Sequence, residues 1–295
     1  MKNISIIKIF LTVLFLTALI IKINFFEIAQ IIFNLNPVYL LGALILVPIL
    51  YIIRTLKWNV LLSSAGITIT FNKSLKVILI GNFYGLVTPG KVGELGRAYH
   101  LNEKKVLTLP TIIIEKMLDI FALVILSVLT IILFFQNNLI MIIGIFICVI
   151  VMIISIFMLV NEKAISFVTN FFKINQENNE QFVKNFWSLF HNYKIMGTTI
   201  FISFVYYFVA YLLGYFVILS AGFEPIVLIT LPIIVLIGNI PITISGLGLR
   251  ESIGSVAFIS LGETAADGFV FAFLLFLLIT LIPGIVGYTL TMKEH

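Results

Sequence analysis

Two short stretches hold most of the residues that could do chemistry. The first is Thr88-Pro-Gly-Lys-Val-Gly-Glu-Leu-Gly-Arg97 and the second is Thr243-Ile-Ser-Gly-Leu-Gly-Leu-Arg-Glu251. Each couples glycines to an arginine, and Gly93 precedes Arg97 by the same four positions that separate Gly246 from Arg250. The pattern suits an anion. Glycines let backbone approach a ligand closely. A helix starting near Gly90, or just after Ser245, would aim free N–H groups and a positive dipole end at it. A guanidinium grips phosphate through two parallel hydrogen bonds. Pro89, Gly90, Gly93, Glu94 and Arg97, with Ser245, Gly246, Gly248, Arg250 and Glu251, therefore form a candidate substrate-binding set in which Arg97 and Arg250 share one phosphate. Ser245 reads as an N-cap. Glu94 can pair with Arg97 on the same helix, and Glu251 stands beside Arg250, so both arginines have a resting partner.

Glu115 and Asp119, four apart, complete the set with two carboxylates about one turn into the next apolar run. Unpaired carboxylates there are costly, so they need Arg97 or Lys116, or else carry a proton or cation that drives transport. Plainer readings exist for each feature: close helix packing for the glycines, ion pairing for the arginines, and a headgroup-level pair for the carboxylates. Arg54 and Lys57 read as positive anchors snorkelling from a span end.

The elements that position these residues are membrane helices. Of 295 residues, 61% are hydrophobic and 11% charged, and mean hydropathy is +1.20. A soluble domain is about 45–50% apolar and about 25% charged, so a soluble enzyme is excluded. The apolar runs are too long, and too free of alternation, for barrel strands. The fold class is an all-α polytopic membrane protein. Six runs are long enough to cross: about 4–23, 38–57, 110–135, 139–160, 196–221 and 269–292. The first is too long for the apolar core of a signal peptide. Two further runs, Leu75 to Thr88 and Ile226 to Ile240, stop at Pro89 and Pro241 before reaching across. They are expected to be re-entrant broken-helix hairpins, with both prolines near the midplane. Lysine and arginine collect on one side if the hairpins turn back, which places both termini in the cytoplasm of a multi-pass cell-membrane protein.

The expected organisation is one integral membrane domain, 1–295. A first span and outer loop cover 1–37, and a first repeat with hairpin 75–101 covers 38–135. A linking span and cytoplasmic segment cover 139–194. A second repeat of opposite orientation, with hairpin 226–261, covers 196–292. Paired interrupted segments of this kind mark the centre of a transporter. Within the linker, Phe182, Val183, Phe186, Trp187 and Phe190 share a helical face, predicting an amphipathic helix on the cytoplasmic interface. The lone Cys148 excludes an intramolecular disulfide. His100, His191 and His295 lack metal-ligand spacing, so no cofactor or metal is expected, and no basic soluble surface points to nucleic acid.

Arg54 with Trp58 and Leu61-Leu62, Asn82, the Pro89-Gly90 to Arg97 stretch, Glu115-Lys-Met-Leu-Asp119, and Pro241 with Ser245-Gly-Leu-Gly-Leu-Arg-Glu251 together resemble the lysylphosphatidylglycerol synthase transmembrane region, or flippase-like, family. The resemblance covers nearly the whole chain. It implies lipid translocation, by a stand-alone member lacking the soluble synthase domain, since the chain stops at His295. Stand-alone members are linked to polyprenyl-phosphate-sugar pathways. One departure is Ile240-Pro-Ile-Thr-Ile-Ser-Gly246, where the family pattern would put a second Pro or Gly beside the serine.

The leading expectation is therefore a translocase for an anionic phospholipid or polyprenyl-phosphate-linked lipid, with proton or cation coupling and no catalytic role. A membrane-embedded transferase on such a lipid is the alternative. No paired-aspartate or lipid-phosphotransferase motif supports it, and no Cys/His nucleophile pair is available. An ion-coupled small-solute transporter and an assembly partner without its own ligand are the remaining readings.

Overall fold

The computed structural model describes residues 25–88, 91–101, 103–135, 177–240 and 242–293, with isolated positions between 139 and 153. The elements in order are α1 Phe25–Phe33, α2 Pro37–Ser64, α3 Phe71–Leu86, a 3₁₀ helix Val92–His100 and α4 Lys105–Phe134. Next come α5 Glu177–Phe190, α6 Tyr193–Ala221, a 3₁₀ turn Pro225–Thr230 that runs into α7 Leu231–Gly238, and α8 Leu249–Ser260. The chain ends in α9 Ala265–Phe276, a π turn Leu277–Leu281 and α10 Ile282–Met292. No β-strand occurs among the described residues.

Local chemistry sets the ends. Asn36 accepts the Val38 N–H at 3.0 Å ahead of Pro37 in the first turn of α2, a position where proline's missing donor costs nothing. Thr264 and Asp267 bond each other's backbone N–H at 3.2 and 3.1 Å, closing a capping box on α9.

Four helical segments are long and apolar enough to cross a membrane: Pro37–Ser64, Lys105–Phe134, Tyr193–Ala221 and Ala265–Met292. They contain four of the six expected spans. The expected spans 4–23 and 139–160 lie outside the described residues, apart from isolated positions of the second. On α2, Leu41, Ile45, Ile49, Ile52 and Leu56 form an exposed apolar stripe, while Ala43, Val47, Leu50, Trp58 and Leu61 face inward and are buried. A continuous apolar face of this kind is stable only against lipid or another protein. The protein is a membrane protein.

The two interrupted segments are shorter. α3 has 16 residues, about 24 Å at 1.5 Å per residue, against about 30 Å of hydrocarbon. The Pro225–Thr230 turn and α7 have six and eight. In each case a second helical piece packs back on the first: the 3₁₀ helix on α3, and α8 on α7. The two tips touch. Ser245 donates its backbone N–H to the Thr88 carbonyl at 3.3 Å. Pro89, Gly90 and Pro241, expected at the centre of these turns, lie outside the described residues.

Small residues set the spacing between layers. α8 and α9 cross where a Cβ on Gly254 would sit 2.5 Å from the Gly268 carbonyl, the bare-backbone approach favoured between membrane helices. The expected amphipathic helix exists as α5, but its apolar face is spent on protein. Phe182, Phe186 and Leu189 are buried, with Phe186 and Leu189 packed among Leu61, Ile114, Leu118 and Met196. Asn185 donates to the Val106 carbonyl at 3.1 Å.

Candidate functional site

Between these layers lies a cavity of about 420 Å³. Its walls come from α2, α3, the 3₁₀ helix, α4, α6, α7, α8, α9 and the π turn. The π turn shapes one side. An extra residue in the helical turn releases carbonyls from the regular ladder, and two cavity-lining side chains take them: Tyr51 donates to the Ile279 carbonyl at 3.1 Å and Asn82 to the Thr280 carbonyl at 2.9 Å.

Charge lines the same cavity. Arg54, Lys57, Lys91, Lys116 and Arg250 line the cavity, against the carboxylates Glu94 and Asp119. Glu94 is clamped by Arg54 from α2 and Lys116 from α4. Asp119 pairs with Lys57 and accepts the Ser203 hydroxyl at 3.1 Å. Glu115 lies behind the wall and is fully buried. It pairs with Arg97 and also meets Arg54 Nε at 3.5 Å and Lys57 Nζ at 3.9 Å. Three helices are thus tied by one network in which every carboxylate has at least two polar partners, the condition under which buried charge is tolerated.

This arrangement changes several sequence expectations. Arg97 is fully buried and does not line the cavity. Its guanidinium stacks over the Trp58 ring at 4.2 Å and pairs with Glu115, not Glu94. Arg97 and Arg250 therefore do not face one ligand. Among the described residues, the start of the 3₁₀ helix offers no row of free N–H groups either. Thr88 Oγ1 accepts from Gly93 at 2.7 Å, and the Lys91 carbonyl accepts from Glu94 at 3.0 Å. Gly93 is needed for packing, because a Cβ there would run into the Tyr84 carbonyl and lie 2.6 Å from Thr88 Oγ1. Arg54 and Lys57 are not snorkelling anchors. They are 9% and 1% exposed, inside a helix that continues to Ser64.

The second motif also folds by its own rules. Ser245 takes φ 51° and Gly246 and Gly248 take 77° and 81°. The left-handed serine makes the turn where a second Pro or Gly was expected. Ser245 does not cap α8. Gly248 stands at the N-cap, and Glu251 Oε2 accepts its N–H at 2.7 Å. Glu251 Oε1, Ser245 Oγ and Thr243 Oγ1 are buried without a hydrogen-bond partner. Arg250 reaches the cavity, donates to the Ser245 carbonyl and lies 4.7 Å over the Phe276 ring, with Nε unpartnered.

The sequence matches the family model described as Lysylphosphatidylglycerol synthase TM region over residues 5–287. The chain belongs to that family. A UPF0104 membrane protein of Methanocaldococcus jannaschii is 29% identical over 121 residues, which is 39% of this chain and 36% of that relative. The match thus spans about a third of the length of the curated relative. No solved structure matches.

Within this lysylphosphatidylglycerol synthase TM-region protein, the structure brings Glu94, Asp119 and Arg250 to one cavity and sets Arg97, Glu115 and Glu251 behind its walls. Sequence reasoning missed Lys91, Tyr51 and Asn82 as wall residues. For Tyr51 the available signal was on α2. Tyr51, Arg54 and Trp58 recur at helical spacing, and the apolar run continues through Val60-Leu-Leu62, so a charge at 54 sits deep within the span.

Proposed function

We propose that this protein is a lipid translocase, moving an anionic phospholipid or a polyprenyl-phosphate-linked lipid across the cell membrane rather than transforming it. One observation carries the reading: a cavity walled by five cations against two carboxylates, inside a helical bundle whose outer face is apolar. A soluble anion would be served by the cations alone. The rest of the wall, including Met117, Ile120, Leu231, Ile234 and Val235, suits acyl or prenyl chain. Pockets of this mixed kind orient a ligand by a few polar groups and hold it by apolar contact.

The interrupted segments are read as re-entrant hairpins of an inverted repeat. Their shortness, and the contact of Ser245 with Thr88 between them, support that reading. With the lysine distribution, it puts both termini in the cytoplasm. The clamping of Glu115 and Asp119 by cations favours a scaffold role for them over that of a free proton carrier.

The test is a sided translocation assay in proteoliposomes with fluorescent phospholipids and polyprenyl phosphates. Wild-type protein is expected to move at least one of them faster than empty vesicles, and Arg250→Gln to slow that movement at least tenfold. No movement of any anionic lipid above the empty-vesicle rate, by protein of checked fold, would refute the proposal.

A further inference from the structure

We infer that the cavity seats a phosphate bearing two or more negative charges, a phosphomonoester or diphosphate, between Lys91 and Arg250. This rests on reading the cavity as a lipid-headgroup site. Six cations belong to the cavity and its supporting network: Arg54, Lys57, Lys91, Arg97, Lys116 and Arg250. Three carboxylates, Glu94, Glu115 and Asp119, face them, and all three are committed to Arg54, Lys57, Arg97 and Lys116. Six against three leaves three positive charges. Glu251, turned to the Gly248 N–H with no cation within ion-pair distance among the described residues, reduces that surplus to two if it is counted as ionised.

Two of the cations have no carboxylate within ion-pair distance among the described residues. Lys91 Nζ has Thr280 Oγ1 at 3.5 Å as its polar contact. Arg250, 8% exposed, is held by the Ser245 carbonyl and leaves Nε unpartnered. They come from the two interrupted segments, whose tips are joined through Ser245 and Thr88. Asn82, Asn239 and Thr280 line the same cavity and supply neutral polar groups.

Charge arithmetic then selects the headgroup. Uncompensated cations buried away from water are expensive. A phosphodiester contributes one negative charge and leaves at least one cation bare. A monoester near charge −2, its second ionisation lying near pH 6, or a diphosphate matches the two charges of Lys91 and Arg250 and removes the surplus of two that remains with Glu251 ionised. A lysyl-esterified diester, with two ammonium groups against one phosphate charge, is net positive and would add to it. Arginine contributes a bidentate fork and lysine a compact ammonium, a combination suited to several phosphate oxygens at once.

The experiment compares farnesyl phosphate with its methyl phosphodiester, which share one tail and differ by one charge. Both bind to full-length protein in phosphatidylcholine nanodiscs at pH 8. The monoester is expected to bind at least tenfold more tightly. Lys91→Asn should reduce that ratio to threefold or less. Asparagine tolerates the left-handed backbone of Lys91, φ 58°, so this variant removes the charge without straining the turn. Arg250→Gln should do the same, while Lys105→Ala, whose ammonium lies 3.9 Å over the Tyr99 ring outside the cavity, should leave the ratio unchanged. Equal binding of the two lipids, or a ratio preserved in Lys91→Asn, overturns the inference. Competition by millimolar inorganic phosphate or pyrophosphate as strong as by the lipid would keep the seat and overturn its lipid source. Tight monoester binding without transport would support the seat while overturning translocation. Transport of both lipids with equal affinity would do the reverse.

Discussion

Replacing Glu115 by glutamine should be among the most damaging single substitutions in the protein, although Glu115 never reaches the cavity. Glutamine keeps the volume and removes one negative charge from the point where Arg97, Arg54 and Lys57 meet. At about 4 Å and an effective dielectric constant of about 20, each ion pair is worth about 4 kcal/mol gross. The relief of no longer burying a carboxylate offsets much of that. Removing one partner of a buried pair typically costs about 3–5 kcal/mol net, because the other charge stays buried without compensation. Arg97→Met removes the matching charge and leaves Glu115 with two other cations, but it forfeits the Trp58 stack, worth about 0.5–2 kcal/mol. It should cost less than Glu115→Gln. The double variant should cost less than the sum of the singles by about 2 kcal/mol or more, since the charges couple directly. The measurement is equilibrium unfolding in mixed micelles followed by circular dichroism, completed as a double-mutant cycle. A loss under about 1 kcal/mol for Glu115→Gln, with additive singles, would refute the buried-clamp account.

The packing of the 3₁₀ helix on α3 predicts a contrast among glycines. Gly93→Ala should disrupt folding or transport, because its methyl would meet the Tyr84 carbonyl, whereas Gly197→Ala, with nothing within 4 Å, should be neutral or slightly stabilising; thermal unfolding of both variants tests this. In the loop after α8, burial and then the charges of Asp267 and Glu224 push the Glu263 carboxyl above its ordinary range. The native state then binds the proton more readily than the unfolded chain, so this group's contribution to stability falls as pH rises through and just above the usual carboxylate range. Glu263→Gln should flatten that slope slightly, as a melting-temperature series against pH would show; an unchanged slope would count against it. For the proposed orientation, Lys2→Cys and Lys104→Cys in a Cys148→Ser background should both label from the cytoplasmic side, and labelling of position 104 from outside would mean that the first interrupted segment crosses fully.

Much of the scaffold was legible because membrane burial imposes one strong rule. An apolar run long enough to cross becomes a long helix, and one that stops at Pro89 or Pro241 gives a helix too short to cross by itself. Composition and these interruptions located the four described spans and the two short segments. The fate of individual charges was less legible. A charged residue's sequence neighbours do not say which distant helix supplies its partner. Glu94 has Arg97 one turn away yet binds Arg54 and Lys116, because the 3₁₀ helix turns its acid toward α2 and α4. Ser245 resembled a cap by residue type, but its left-handed backbone turns the chain, and Gly248 with Glu251 caps α8 instead.

The carboxylates explain how a cavity with so many cations can exist before a ligand arrives. Six cations with no counter-charge would carry a desolvation cost of several kcal/mol each. Complete neutralisation would leave nothing for an anion to bind. The network stands between these limits. Glu94, Glu115 and Asp119 secure the cations that join α2, α4 and the 3₁₀ helix, and so work as structural fasteners. Lys91 and Arg250 are left on the two interrupted segments. A ligand neutralising both would strengthen the contact between those segments, and its departure would weaken it. On the proposed function, binding a charged headgroup would thereby be coupled to these two segments, since short helices ending in turns have fewer internal hydrogen bonds to break than continuous spans.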